Sequence, residues 1–277
     1  TAFASTDATA AFNLGAFSDT TGHPSCVSFF EQRLVFAGTT DEPQTLFFSK
    51  AGDYQNMTTG TNADDAMVYT IASNQVNAIR YMKAVRTLVV GTTGGEFTVS
   101  ADGTDASITP VNITIKRQSS FGSANVDAIP AGNAILFLQK AKRKIRELQY
   151  NFDSDGYQAP DLTILNETVT DTGINEMSYQ QEPGSNIWCV RDDGVLACLT
   201  YQRSENVTAW TRHIFGGAFG TGNAVCESVA SISGVLTEDE VWVIVKRTIN
   251  GATKRFVECF SDFDFDETSA TSFKFLD

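Results

Sequence analysis

The chain has 277 residues, 42% of them hydrophobic, and a net charge of −13. That length holds one large all-β domain or two small ones, and 33 acidic side chains against 20 basic ones exclude a protein that grips phosphate backbones, though not one that DNA slides past. No apolar run reaches the length of a membrane span, and five cysteines (26, 189, 198, 226 and 259) without a Cys-x-x-Cys pair signal neither zinc nor a disulfide framework, so they read as buried, reduced thiols.

In chain order, residues 1–22, rich in Ala, Thr, Ser and Gly, read as an extended N-terminal arm. No signal peptide opens the chain, and residue 1 is Thr, so the sequence reads as a processed product or a piece of something longer. From residue 23 onward the pattern is strand after strand. Val27-Ser28-Phe29-Phe30 precedes Arg33-Leu34-Val35-Phe36-Ala37-Gly38, followed by Thr45–Ser49, Thr87–Gly91 and Glu96–Val99, each bounded by Gly, Asn or Asp. The best helical periodicity, Asp161 to Val169 with Leu162, Ile164 and Leu165, is short.

Five apolar segments resemble one another: Leu34-Val35-Phe36, Leu88-Val89-Val90, Ile135-Leu136-Phe137, Ile187-Trp188-Cys189-Val190 and Val241-Trp242-Val243-Ile244. Leu34, Leu88, Leu136, Trp188 and Trp242 follow one another at intervals of 54, 48, 52 and 54 residues. A turn and a second, alternating strand come after the anchors, as in Gly94-Gly95, Asp193-Gly194 and Asn250-Gly251. A unit of about 50 residues is the size of a four-stranded propeller blade. The sequence therefore predicts an all-β chain, a β-propeller over 23–277 with five recognisable blades and a sixth completed by the termini. A β-sandwich is the competing architecture, but it has no reason to repeat at this interval. The Trp-Asp dipeptide of WD40 arrays is absent, and a single diglycine after an anchor does not make a kelch pattern.

Chemistry is not signalled. His23 sits in a Gly-His-Pro turn and His213 follows Trp210 in a strand-like run; neither has a nucleophile motif beside it. Two glycine-rich stretches, residues 91–95 and 216–222, lack the Lys-Ser/Thr of a Walker loop and open no helix, so they read as strand connections. Asp153-Ser154-Asp155-Gly156 begins like a calcium loop, but residue 164, where the bidentate Glu belongs, is Ile. The expectation is a chain with no catalytic residues, no metal and no cofactor. One basic cluster, Lys142-Arg143-Lys144-Ile145-Arg146, joins two strands as a hairpin tip. The acidic tail Asp262-Phe263-Asp264-Phe265-Asp266-Glu267 alternates with aromatics and reads as one further strand.

An ordered set of segments carries a resemblance. It runs through Arg33–Thr39, Pro43-Gln44-Thr45, Ser49–Asp53, Gln75–Arg80, Thr109–Ile113, Arg146-Glu147-Leu148, Trp188–Gly194, Leu199-Thr200-Tyr201 and Ala209–His213. The series is similar to the tail nozzle proteins (tail tubular protein B) of short-tailed bacteriophages. That resemblance implies a structural virion protein, assembled in the bacterial host cytoplasm, with no enzymatic activity. It implies a hexameric tube carrying a β-propeller domain, with a tail adaptor ring and receptor-binding fibres as partners and genomic DNA passing without being held. Family members are much longer, so the chain would correspond to the propeller core.

Together with the charge, the resemblance makes the hairpin Lys142, Arg143, Lys144 and Arg146 and the tail Asp262, Asp264, Asp266 and Glu267 candidate subunit contacts, one on each face of a repeating head-to-tail interface. The rival reading is a carbohydrate-binding, lectin-like propeller recognising a host surface glycan. It expects one exposed Trp or Tyr per blade, whereas Trp188 and Trp242 sit at anchor positions. Two structural expectations complete the reading. The five anchors occupy equivalent buried places, and Cys189 lies opposite Cys198 across a two-residue Asp193-Gly194 loop.

Overall fold

The computed structural model describes residues 16–72, 76–103, 106–234 and 238–261. The fold is all-β, of the β-propeller class: successive antiparallel sheets, each a meander of neighbouring strands. Among the described residues no helix is long and apolar enough to cross a membrane. The chain divides into two compact units, Thr1–Gly94 with Thr98–Lys116, and Gly95–Phe97 with Arg117–Asp277.

The first unit holds the sheet β1 (Cys26–Phe30), β2 (Arg33–Ala37), β3 (Thr45–Phe48) and β4 (Met67–Thr70). It also holds most of the sheet β5 (Ile79–Ala84), β6 (Leu88–Thr92), β7 (Gly95–Ala101) and β8 (Ile113–Ser119). Phe17, near the end of the predicted arm, packs edge-on against Phe36 and Phe47. Gly91 stands directly across from Tyr81, where a Cβ would sit 2.1 Å from the tyrosine ring; that close approach is why a glycine interrupts an otherwise Val-rich strand.

The second unit begins with β9 (Ile129–Ala131), β10 (Ala134–Leu138), β11 (Ile145–Asn151) and β12 (Gly156–Gln158). Next come β13 (Ile174–Gln180), β14 (Asn186–Arg191), β15 (Leu196–Gln202) and β16 (Val207–His213). A small hairpin, β17 (Ala218–Phe219) with β18 (Gly222–Asn223), leads into β19 (Val225–Ser233), β20 (Asp239–Ile249) and β21 (Ala252–Cys259). Four sheets are four-stranded, and this last one has three strands among the described residues.

All five anchors fall on the same strand of their sheet, the second, which is the equivalence of position that the repeat predicts. Their burial is not uniform. Leu88, Leu136 and Trp188 are buried, whereas Leu34 and Trp242 are half-buried. The second strands β6 and β10 are buried on both faces, which explains their unbroken apolar runs. The outer strands β16 and β21 are mostly exposed, and β8 is mostly half-buried; all three are correspondingly more polar.

Within the second unit the two faces of β14 serve two cores. Ile187 and Cys189 pack with Ile129, Leu136 and Leu138 of the preceding sheet. Trp188 and Val190 point the other way, onto Val241, Val243 and Val245 of the following one. Each fully buried side chain of this size contributes about 1.5–3 kcal/mol, so the stacking of sheet on sheet is the main source of stability here.

Several local expectations change. Cys189 pairs with Ala197, and Cys198 with Trp188. The connection is a three-residue loop, Asp192-Asp193-Gly194, closed by Arg191 N donating to Val195 O (3.1 Å), with Gly194 at φ 82°. Its cause is the buried Arg191, whose guanidinium forks onto both Asp193 oxygens (3.0 and 2.7 Å) and holds Asp193 inside the turn. The shift sends the two thiols to opposite faces of the sheet, and burial pushes both well above their ordinary pKa.

Asn250-Gly251 does form the expected two-residue loop, both residues at positive φ and Ile249 facing Ala252. Residues 161–169 give only a 3₁₀ turn at Glu167–Val169. Asp161 takes the Thr163 N–H (2.9 Å) and hydroxyl instead of continuing a helix. The calcium-like stretch is an Asx turn on Asn151 with Asp155 at φ 44°. The predicted sixth blade and the acidic tail rest on residues outside those described.

Candidate contact surface

The basic hairpin is the connection between β10 and β11, closed by Lys142 N onto Gln139 O (2.7 Å) and Gln139 N onto Lys144 O (2.8 Å), with Lys142 at φ 62°. Three of its four cations are engaged within the chain. Lys142 Nζ donates to Asn175 Oδ1 at 2.7 Å. Lys144 Nζ lies 2.8 Å from Asp161 and 3.6 Å from Glu167. Arg146 donates to Gln139 Oε1 and Ala159 O, and its guanidinium carbon lies 3.6 Å above the Phe121 ring.

The Asp161 hydrogen bond holds the Lys144 ammonium above its ordinary pKa. Burial pushes the Asp161 carboxyl up, but the bonds from Lys144 and Thr163 outweigh it, and its pKa stays below the usual range. Arg143 is different. It is exposed, its carbonyl accepts from Thr170, and its guanidinium has no hydrogen bond or ion pair among the described residues. Arg143 and Lys144 flank a shallow cavity of about 320 Å³ with Gln139, Ala141 and Glu167. Only Lys144 is paired with carboxylates, so Lys142, Arg143 and Arg146 keep the positive field of the hairpin, with Arg143 its exposed member. Asp262, Asp264, Asp266 and Glu267 lie outside the described residues.

A second cleft, about 440 Å³, is lined by Arg212, His213, Ile214, Phe215, Gly216, Arg247, Glu258 and Phe260. Arg247 pairs with Glu258 and donates to Gly216 O at 2.8 Å. His213 is held between Trp188 (5.1 Å) and Phe260 (6.2 Å), and burial lowers its pKa, leaving it neutral at pH 7. Its Nε2 lies 3.1 Å from the Thr211 hydroxyl. His23 is exposed and lies 3.2 Å from Asp19. Among the described residues no group of three His, Cys, Asp or Glu is placed to hold a metal ion. The glycine stretches connect β6 to β7 and form the β17–β18 hairpin, where Lys246 sits over Phe219.

Buried charge is what the sequence did not announce. Arg33, Glu96, Glu147 and Arg191 are all buried. Glu147 pairs with Arg203, which lies beyond β15. Glu96 accepts hydrogen bonds from the hydroxyls of Ser119 and Ser123 (the latter at 2.8 Å). Burial nevertheless pushes its pKa up, against the opposing pull of those bonds.

A raised carboxyl favours the protonated form in the folded state. Its contribution is thus fully present below the unfolded-state pKa and is lost as pH rises through the folded value. Glu96→Gln is expected to raise the unfolding midpoint at pH 7 and to leave it unchanged near pH 4. Thermal melts across that range are the check; a loss of stability at pH 7 contradicts the assignment.

No protein-family model matches the chain, and no curated protein matches it. Among solved structures it is similar to a luciferin-regenerating enzyme at 11% identity, over 81% of this chain and 83% of that one, with a TM-score of 0.31. It is also similar to the β-propeller domain of Cps50 (Swd1) from Myceliophteria thermophila at 10% identity, over 80% and 81% of the two chains, with a TM-score of 0.38. At these scores neither likeness says anything about activity, and the blade topology itself carries the fold class.

Proposed function

We propose that this chain is a structural protein of the tail of a short-tailed bacteriophage, part of the tube or nozzle through which DNA is ejected. It acts as one of several identical subunits, six in number, in a closed ring. The observation that carries the reading is the ordered series of segments from Arg33 to His213, set on a chain of repeated β-sheets. A net charge of −13 is in keeping with it, since a conduit whose wall repels phosphate does not hold its cargo. On this reading the protein is not an enzyme; it meets an adaptor ring and fibres in the virion.

Heterologous contacts that repeat by rotation close into rings. Arg143, with Lys142, Lys144 and Arg146 behind it, would face the acidic 262–267 segment of the next subunit. Exposed pairs of this kind contribute about 0–1 kcal/mol each, so they orient the contact more than they hold it. The glycan-binding alternative is disfavoured by the tryptophans. Trp188 is buried, and Trp210 is half-buried with its Nε1 donating to Leu162 O at 3.0 Å, so among the described residues tryptophan is not displayed once per blade.

Electron microscopy of the purified protein tests the reading. A closed ring with the hairpin at the subunit boundary is expected. A monomeric particle, or a ring in which both charged patches face solvent, overturns it. Filter binding gives a second expectation: no submicromolar affinity for duplex DNA at physiological salt, because the chain lacks the cationic surface that releases counterions.

A further inference from the structure

Strand β11 carries unlike surfaces at its two ends. At its start stands the basic hairpin, where Arg143 is exposed and its guanidinium has no hydrogen bond or ion pair among the described residues. The connection after β12 is tied to this hairpin: Leu162 N donates to Ile145 O at 2.9 Å, and the Thr170 hydroxyl donates to Arg143 O at 2.7 Å. Between those ties it makes a tight turn, closed by Asn166 N onto Thr163 O (2.9 Å), with Ile164 and Leu165 at the two corners. These side chains are 65% and 89% exposed, where turn chemistry favours Pro, Gly, Asn, Asp or Ser. The shallow cavity of about 320 Å³, lined by Gln139, Ala141, Arg143, Lys144 and Glu167, lies at the same end of the strand.

β11 is seven residues long, so its other end is about 20 Å away. There the tip between β11 and β12 is shaped by Asn151, whose Oδ1 accepts from Asp153 N (2.9 Å) and Ser154 N (3.2 Å). The tip presents Phe152, 87% exposed, together with Asp153 and Asp155. Asp155 accepts from the Tyr150 hydroxyl at 2.5 Å, and the Tyr150 ring meets Tyr157 at 5.6 Å. The Asp153 carboxylate is exposed and has no hydrogen bond or ion pair among the described residues. One end of the strand is thus cationic with two aliphatic side chains and a cavity; the other is acidic with a projecting aromatic ring.

We propose that the two ends are the halves of one contact, in which the β11–β12 tip of a second copy of this chain seats on the basic hairpin of the first. Phe152 of the second copy enters the shallow cavity, where the Arg143 guanidinium lies against its ring. Asp153 of the second copy pairs with Arg143, and Ile164 and Leu165 cover the apolar flank of the tip. Charge complementarity selects this occupant: unlike ends of two copies attract, and like ends repel. The contact joins two different patches, so it repeats from copy to copy. An exposed aromatic beside an arginine is also the composition in which interface energy concentrates. The inference rests on the head-to-tail assembly proposed above and names an apolar part for it.

Sedimentation velocity over a concentration series is the test, on the intact chain and on Phe152→Ser, Asp153→Lys, Arg143→Glu and the double variant Arg143→Glu/Asp153→Lys. The three substituted side chains are exposed, and melting curves serve as the control for folding. Each single substitution should weaken self-association at least ~10-fold. The double variant should recover most of that loss, because the reversed charges of neighbouring copies attract again. Self-association that the single variants leave unchanged overturns this contact and leaves the ring to stand on other surfaces. An intact chain that stays monomeric at every concentration overturns both. A double variant no better than the weaker single one overturns the pairing of Asp153 with Arg143.

Discussion

Trp188→Ala should be among the most damaging single substitutions in the chain, with a loss of about 3–5 kcal/mol. The indole is 7% exposed, packed against Val241, Val243 and Val245, and flanked by the rings of His213 and Phe260 at 5.1 and 5.0 Å. Its Nε1 donates to Gln180 Oε1 at 3.0 Å, so truncation also strips a donor from a buried amide. In a chain of this size the midpoint should fall by roughly 5–15 °C. Trp242→Ala provides the comparison. It occupies the same place in the repeat but is half-buried, and its Nε1 reaches Glu240 at the surface, so its loss should be clearly smaller. Calorimetry and urea melts on both variants decide the point; equal losses would mean that the two anchors are not distinguished by what packs on them.

Arg33→Met should cost on the order of 3 kcal/mol, with an effect that is local before it is global. Arg33 is 2% exposed, and its guanidinium donates to four backbone carbonyls: Ser49 (2.8 Å), Asp65 (2.7 Å), Ala63 (2.7 Å) and Asp64 (3.4 Å). It thereby ties the long connection between β3 and β4 back onto the start of β2. Burial lowers its pKa, while Asp64, Glu31 and Asp65 oppose that shift. Methionine fills the space but donates nothing, leaving those carbonyls to water or to no partner. Arg33→Lys should not rescue the fold, because one ammonium cannot span the carbonyls that a planar fork reaches. Limited proteolysis within residues 50–65, read together with the melt, is the measurement. An unchanged cleavage rate alongside a loss below about 1 kcal/mol would remove Arg33 from this role.

Arg33 also illustrates a limit of reading pattern alone. In sequence it is the polar residue that opens an apolar strand and looks like its solvent-facing end. Its partners are main-chain oxygens up to 32 positions away, and no side-chain pattern marks them. Arg191 is a similar case. The Asp-Gly pair after it suggests a two-residue hairpin, but a buried guanidinium gripping Asp193 makes the loop one residue longer. Because side chains alternate across a strand, that single residue moved Cys198 to the far side of the sheet from Cys189. In the basic hairpin, the sequence shows four cations in a row of five, but not that Asn175, Asp161 and the Phe121 ring already engage three of them.

The sequence by itself determined the strand content, the repeat of about 50 residues and the equivalence of Leu34, Leu88, Leu136, Trp188 and Trp242, all of which lie on the second strand of their sheet. These follow from local chemistry: β-branched and aromatic runs form strands, Gly with Asn or Asp turns them, and a strand buried on both faces must be apolar throughout. Only the tertiary structure decided which anchors are fully covered and which charges are buried and satisfied. Those properties depend on what the neighbouring sheet places against each face, and that neighbour lies tens of residues away in a chain whose own pattern is the same in every unit.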